Sequence, residues 1–217
     1  ISLAHHGILF LDEFVEFRNN VLQALRQPLE NCEITVSRAG GTLSFPADFM
    51  LVASSNPCQC GFYLDPEIPC VCTGAKVRGY FGKIAGPIQD RIDIEVLLGR
   101  VPYRDLVETG AGESSSVIRE RVIRAREVQA RRFAGGSTAY NSRMTNREVL
   151  EYCKIDADSQ KLIENAIKKI NLSARSFFRI LKVSRTIADL AGSDTIEKAH
   201  ILESLSYKNL FRLYSTQ

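Results

Sequence analysis

An apolar run, Ile8-Leu9-Phe10-Leu11, ends in two adjacent acids, Asp12 and Glu13. A run this short predicts a strand buried on both faces, as in a parallel sheet under helices. Acids at the end of such a strand emerge at the carboxyl edge of the sheet, where open α/β sheets bind ligands. In phosphoryl-transfer chemistry the first carboxylate is suited to hold Mg²⁺ and its neighbour to polarise an attacking water. Two solvated acids at a strand end are the plain alternative. A second run, Phe49-Met50-Leu51-Val52-Ala53, leads through Ser54 and Ser55 to Asn56. It predicts a second buried strand whose end shares that edge, where a neutral amide can orient water or touch a γ-phosphate. Asn before Pro57 also forms turns.

Four of the six cysteines crowd into Cys58-x-Cys60-x9-Cys70-x-Cys72. Four thiolates in one loop can close a tetrahedral Zn²⁺ site, and a fully occupied site leaves no open position for catalysis. The Cys-x-Cys spacing is tighter than the usual Cys-x-x-Cys, and two disulfides or free thiols are the alternatives. Cys32 and Cys153 stand alone and read as packing residues. His5, His6 and His200 read as core or surface groups rather than ligands. The basic run from Arg119 to Arg132 carries Val122, Ala125 and Val128 on one side, so it reads as a solvated helix with an apolar face.

These residues need a scaffold. Asn19–Leu29 carries Val21, Leu22, Leu25 and Leu29 at helical spacing. Residues 33–37 and 42–45 alternate polar and apolar around Arg38-Ala39-Gly40-Gly41, which predicts a β-hairpin. Residues 57–73 read as irregular, 76–84 and 87–91 as helical, and 92–97 as a third strand. A small-residue stretch, 110–116, precedes a wholly helical pattern: 117–133, 146–154, 158–170, 174–191 and 195–205, with Asp194 or Thr195 as the last N-cap. We therefore expect an α/β domain over 1–112 and a helical domain over 113–217.

With 217 residues, 45% of them hydrophobic, the chain can bury a core, and its net charge of +3 permits nucleic acid without demanding it. No apolar run is long enough to span a bilayer. The first residues show neither a basic leader nor a cleavage pattern, which points to a reducing, cytoplasmic setting where clustered cysteines favour a metal. Ile1 is read as an internal start, since no Met precedes a strand pattern that begins at once.

Together, Gly7-Ile-Leu-Phe-Leu-Asp-Glu13, Leu25-Arg-Gln-Pro-Leu-Glu30, Val36-Ser-Arg-Ala-Gly40, Asn56-Pro-Cys-Gln-Cys-Gly61 and Gly86-Pro-Ile-Gln-Asp-Arg-Ile-Asp93 resemble the magnesium-chelatase-like ComM/YifB family of AAA+ ATPases. The resemblance runs from about residue 1 to about residue 207. It implies a partial P-loop AAA+ core, a parallel sheet with helices and a pre-sensor β-hairpin, followed by an α-helical lid. It implies a ring-forming, hexameric ATP hydrolase using ATP and Mg²⁺, linked to DNA branch migration. Asp12 and Glu13 match the Walker B acids, Asn56 sensor 1, Arg91 the arginine finger that reaches a neighbour's nucleotide, and Arg175 sensor 2. A planar, permanently charged guanidinium suits a transferring phosphoryl group. The plain alternatives are an ion cluster of Asp90, Arg91 and Asp93, and a solvated face or cap for Arg175. The hairpin is expected to carry Arg38 toward DNA.

One departure is large. No Gly-x-x-x-x-Gly-Lys-Ser/Thr occurs in these 217 residues, and Gly74-Ala-Lys-Val-Arg-Gly-Tyr80 has the wrong order. The backbone cradle and lysine for the β- and γ-phosphates are expected upstream, so the chain alone is expected to be inactive. Two other functions compete with a DNA motor: a chelatase-type ATPase motor subunit, which shares these residues, and a non-catalytic zinc-bearing interaction module. The four-cysteine loop argues for the ComM-like branch.

Overall fold

The computed structural model describes residues 1–38, 40–84, 86, 88–101, 107, 112–170 and 173–208, except the side chains of Arg38, Lys169 and Ile170. It divides into two compact units, one spanning Ile1–Ile92 and one beginning at Asp93.

In the first unit, strand β1 (Ile8–Leu11) leads through a 3-10 turn, Phe14–Glu16, to helices α1 (Asn19–Ala24) and α2 (Arg26–Asn31). The antiparallel hairpin of β2 (Glu33–Arg38) and β3 (Gly41–Pro46) follows, and β4 (Met50–Ala53) then returns parallel to β1. After an irregular stretch come helix α3 (Gly74–Gly82) and a 3-10 turn, Gln89–Arg91. The single helix expected over 19–29 is broken at Leu25. Pro28 explains the break: it has no N–H for the Ala24 carbonyl and its ring crowds that carbonyl.

Phe14, Val15, Leu22, Leu25, Tyr80, Ile84 and Ile88 form this unit's core, with Leu9 and Leu11 of β1 packed against it. The other face of the sheet is bare: Ile8 is 60% exposed, Phe10 58% and Met50 56%. This corrects the expectation of strands buried on both faces. Among the described residues the sheet has two strands and one covering layer, so alternate side chains face out.

The third strand expected over 92–97 does not form, and its apolar residues Ile94, Val96 and Leu97 are exposed. A strand needs a ladder partner, and none lies beside this segment among the described residues. Its Glu95 N–H instead donates to the Tyr207 carbonyl (3.0 Å), and Asp93 pairs with Arg179 (3.3 Å), both within the second unit.

The second unit is helical: α4 (Ser115–Arg132), α5 (Asn146–Tyr152), α6 (Ala157–Ile170), α7 (Ala174–Ala191) and α8 (Lys198–Ser206). Its core is built on Phe133, Val149, Ile163, Ile180, Leu181 and Ile201. Helix α8 starts later than the sequence suggests, and its cap is Glu197 rather than Asp194 or Thr195. The Glu197 side chain accepts from the His200 N–H, and His200 Nδ1 accepts from the Glu197 N–H (3.0 Å). The sequence rule looks for Glu or Gln at the third helical position, and here a histidine takes that part.

A buried polar network also holds this unit. Asp189 accepts from Arg132 Nη1 (2.7 Å), Asn141 Nδ2 (2.7 Å) and Arg185 Nε (3.1 Å). Arg185 Nη1 then donates to the Asp194 carbonyl (2.9 Å), which ties the end of α7 to the loop before α8.

Candidate nucleotide edge and cysteine cluster

The parallel register pairs Leu11 with Ala53, which makes Asp12 and Ser54 neighbours where the two strands end. Two backbone bonds close this edge, from Ser54 N–H to the Leu11 carbonyl (3.0 Å) and from Phe14 N–H to the Ser54 carbonyl (2.8 Å). The Ser54 hydroxyl donates to Asp12 Oδ1, which also accepts from the Glu13 N–H (3.0 Å). Among the described residues, Oδ2 of Asp12 takes no hydrogen bond, so the carboxylate is oriented through one oxygen and has the other available for a cation. Glu13 sits at φ 50°, in the left-handed region that a non-glycine residue enters at a cost. That backbone turn swings the chain from the strand into Phe14–Glu16, whose first two residues are buried while Glu13 stays exposed. Asn56 is exposed two residues beyond Ser54. The structure therefore brings Asp12, Glu13 and Asn56 to one sheet edge. Sequence reasoning missed Ser54, because only the register reveals that it faces Asp12.

Helix α3 lies against the same region. Lys83 Nζ donates to the Val15 carbonyl (3.0 Å), and Tyr80 is buried in this unit's core. Burial, together with the Glu16 carboxylate, raises the Tyr80 pKa, so the phenol stays protonated.

Arg91 ends the 3-10 turn Gln89–Arg91 and forms an ion pair with Glu30 of α2, its side chain 9% exposed. Glu30 closes the Leu25-Arg-Gln-Pro-Leu-Glu30 motif that carries part of the family resemblance. Arg175 belongs to the second unit, where it is exposed in the first turn of α7, just after the N-cap Ser173. Its near neighbour Arg179 pairs with Asp93. Arg38 is the last residue of β2, paired in register with Gly41, and its side chain lies outside the described part of the molecule, as does Ala39.

The four clustered cysteines converge. Their sulfurs all lie within 4.8 Å of one another, with Cys58–Cys60 at 3.3 Å, Cys60–Cys70 at 3.5 Å and Cys58–Cys70 at 3.7 Å. A disulfide needs about 2.05 Å, and all six cysteines are free thiols. A tetrahedral ion with metal–sulfur bonds of about 2.3 Å sets its sulfurs about 3.8 Å apart. The donor set therefore fits a tetrahedral thiolate metal such as Zn²⁺. The Phe62 backbone N–H draws the Cys60 pKa down to about 6, whereas burial pushes Cys70 up to about 12. The Phe62 N–H thus favours a thiolate at Cys60, and a cation would be needed to hold the other cysteines as thiolates. Cys58 is fully buried against Val77 of α3, with Phe81 at the margin. By contrast Cys153 is a core residue, its thiol pushed up to about 12 by burial, and Cys32 caps α2 with φ 60°.

Residues 1–106 match the family described as magnesium chelatase, subunit ChlI, and residues 112–208 match the family described as the C-terminal part of that subunit. The chain belongs to the magnesium chelatase family. Its parallel sheet with helices, followed by a helical region, is the AAA+ fold of that family. Among relatives of this magnesium chelatase family member is the competence protein ComM of Haemophilus influenzae, 42% identical over 98% of the chain and 41% of the relative. The uncharacterized protein YifB of Salmonella typhimurium is 38% identical and that of Escherichia coli 37%, each over the same shares. The chain thus spans about two fifths of the length of these curated relatives. Among the described residues no helix is long and apolar enough to cross a membrane.

Proposed function

We propose that this chain contributes the acidic part of the nucleotide site to a ring-forming AAA+ ATPase that couples ATP hydrolysis to DNA remodelling of the helicase or branch-migration type. The observation that carries this reading is the shared strand edge, where Asp12, Glu13 and Asn56 stand together and Ser54 fixes the Asp12 carboxylate. Membership of the family supports the ATPase part. The likeness to a protein named for competence supports the DNA part. Both family descriptions name magnesium chelatase, so a chelatase-type motor subunit is the second reading.

Mg²⁺ bound with ATP supplies charge neutralisation on the phosphates. Asp12 would hold that ion through the oxygen left free of Ser54, and Glu13 would take the proton of the attacking water. Asn56 would orient the water, and Arg175 would meet the nucleotide from the lid. Arg91 would act in trans on a neighbouring subunit's nucleotide, in a hexameric cytoplasmic ring, once Glu30 gives it up. Arg38 would contact DNA. Cys58, Cys60, Cys70 and Cys72 would hold a structural Zn²⁺, with no part in the chemistry. We assign residues 1–112 to the core and 113–217 to the linker helix and lid, a division supported by the two family matches meeting between residues 106 and 112.

The test is Glu13→Gln in the full-length protein. ATP binding should persist while turnover falls by roughly 10²-fold or more, the usual worth of a general base. The chain by itself, without a phosphate-binding loop in its 217 residues, should hydrolyse no ATP. Unchanged turnover in the variant would overturn the assignment.

A further inference from the structure

Arg91 is held at both ends. The turn that carries it fixes its backbone: Ile88 is fully buried, Asp90 N–H donates to the Gly86 carbonyl (2.9 Å), and Arg91 N–H donates to the Ile88 carbonyl (2.9 Å). The ion pair to Glu30 of α2 fixes its guanidinium. The two side chains differ in cover, with Arg91 9% exposed and Glu30 42%. The guanidinium is thus folded back on its own subunit, while the carboxylate reaches solvent. Leaving a cation so covered without an anion is costly. It can leave Glu30 when another anion takes that place, and a phosphate offers the planar fork the same two-oxygen geometry as a carboxylate.

Helix α2 has a second attachment. Only Cys32, at φ 60°, separates it from β2, and the Cys32 carbonyl accepts from Ala47 N–H (2.7 Å) just past the end of β3. Gln27 Nε2 of α2 also donates to Thr35 Oγ1 of β2 (3.0 Å). Gln27 and Glu30 are three residues apart, so they are neighbours on the helix surface. The helix that holds Arg91 is therefore the helix on which the hairpin is mounted, and all of these residues lie in the first unit.

We propose that Glu30 is a latch on Arg91, a positioning residue that acts only through it, and that displacement of the hairpin opens the latch. With the latch closed, the guanidinium stays on its own subunit. When DNA displaces the hairpin, α2 draws Glu30 away and the guanidinium passes to the neighbour's γ-phosphate. The cation exchanges one anion for another and is never left unpaired. DNA is then a regulator of hydrolysis as well as the molecule acted upon. The inference rests on the Arg91 and DNA readings above.

The test uses the full-length protein, with and without double-stranded DNA. Turnover of Arg91→Ala comes first, since a parental rate there removes the finger reading itself before Glu30 is touched. Glu30→Gln keeps the side-chain shape and removes the charge. Its kcat without DNA should rise about fivefold, the upper end of what a partly exposed ion pair is worth. DNA should then stimulate it less than it stimulates the parent. Glu30→Gln and Arg91→Ala combined in one chain should be no faster than Arg91→Ala alone, because the effect runs through the guanidinium. A DNA-free kcat of Glu30→Gln at or below the parent's would overturn the latch, as would a rise that survives in the Arg91→Ala background. A parent that DNA does not stimulate, or equal stimulation of parent and Glu30→Gln, would overturn its opening by the hairpin.

Discussion

At the scale of single residues, the fold uses its carboxylates in two different ways. Asp12 is exposed and held through one oxygen by the Ser54 hydroxyl, which leaves it able to bind. Asp189 is buried and saturated, with Arg132, Asn141 and Arg185 all donating to it, which leaves it able only to hold structure. Removing one member of such a buried set strands the others, at a cost of about 3–5 kcal/mol. Asp189→Ala should therefore lower the denaturation midpoint of the helical unit sharply, as followed by far-ultraviolet circular dichroism in urea. Arg175→Ala, at an exposed position of the same helix, should leave that midpoint nearly unchanged. Equal midpoints for Asp189→Ala and the parent would show the network to be dispensable.

At the scale of elements, the cysteine loop is the part of the first unit that lacks a core of its own. Residues 57–73 hold no regular structure, and their main burial is Cys58 against Val77. Such a loop folds when a metal supplies the free energy that apolar burial does not. Protein purified without added zinc should carry one metal ion per chain, and Cys58→Ser should lose it and lower the midpoint of the first unit. A metal-free parent, or Cys58 bonded to another cysteine under reducing conditions, would sink this. The loop was legible in the sequence because four ligands of one type lie within fifteen residues, 58–72. The hairpin and the helices of the second unit were legible through periodicity and turn residues, with α7 matching its expected bounds. What escaped has a common cause. Ser54 beside Asp12, Glu30 beside Arg91 and the hydrogen bonds to Asp189 all depend on register or on contacts across long stretches of sequence, which periodicity does not encode. The false strand at 92–97 failed for a related reason: its apolar residues suit a strand, but pairing belongs to the partner as much as to the segment.

At the scale of the whole molecule, the two sites assigned to assembly can be separated by experiment. Arg91 is expected to serve a neighbour's nucleotide, so mixing full-length Arg91→Ala with Glu13→Gln subunits should restore part of the activity at mixed interfaces. No rescue in mixtures shown to co-assemble would refute the shared site. Arg38 concerns the ring's central channel. The hairpin of β2 and β3 lies in sequence between α2 and β4, so a movement at Asn56 just after β4 can pass to its tip. Gly41, at φ 138°, gives the tip a backbone that other residues rarely adopt. Arg38 is also the only charged residue between Glu33 and Asp48, which makes it the natural phosphate contact of the hairpin. Contact with a DNA backbone releases counterions, so binding weakens with salt in proportion to the number of phosphates neutralised. Arg38→Ala in the full-length protein should weaken DNA binding and make its salt dependence shallower by about one phosphate per contributing subunit, while the ring still assembles. If instead the hairpin packs on the next subunit, with Arg38 on a carboxylate there, the variant should lose assembly and keep its DNA affinity per ring. Sedimentation and binding titrations at several salt concentrations, on the same preparations, tell these outcomes apart.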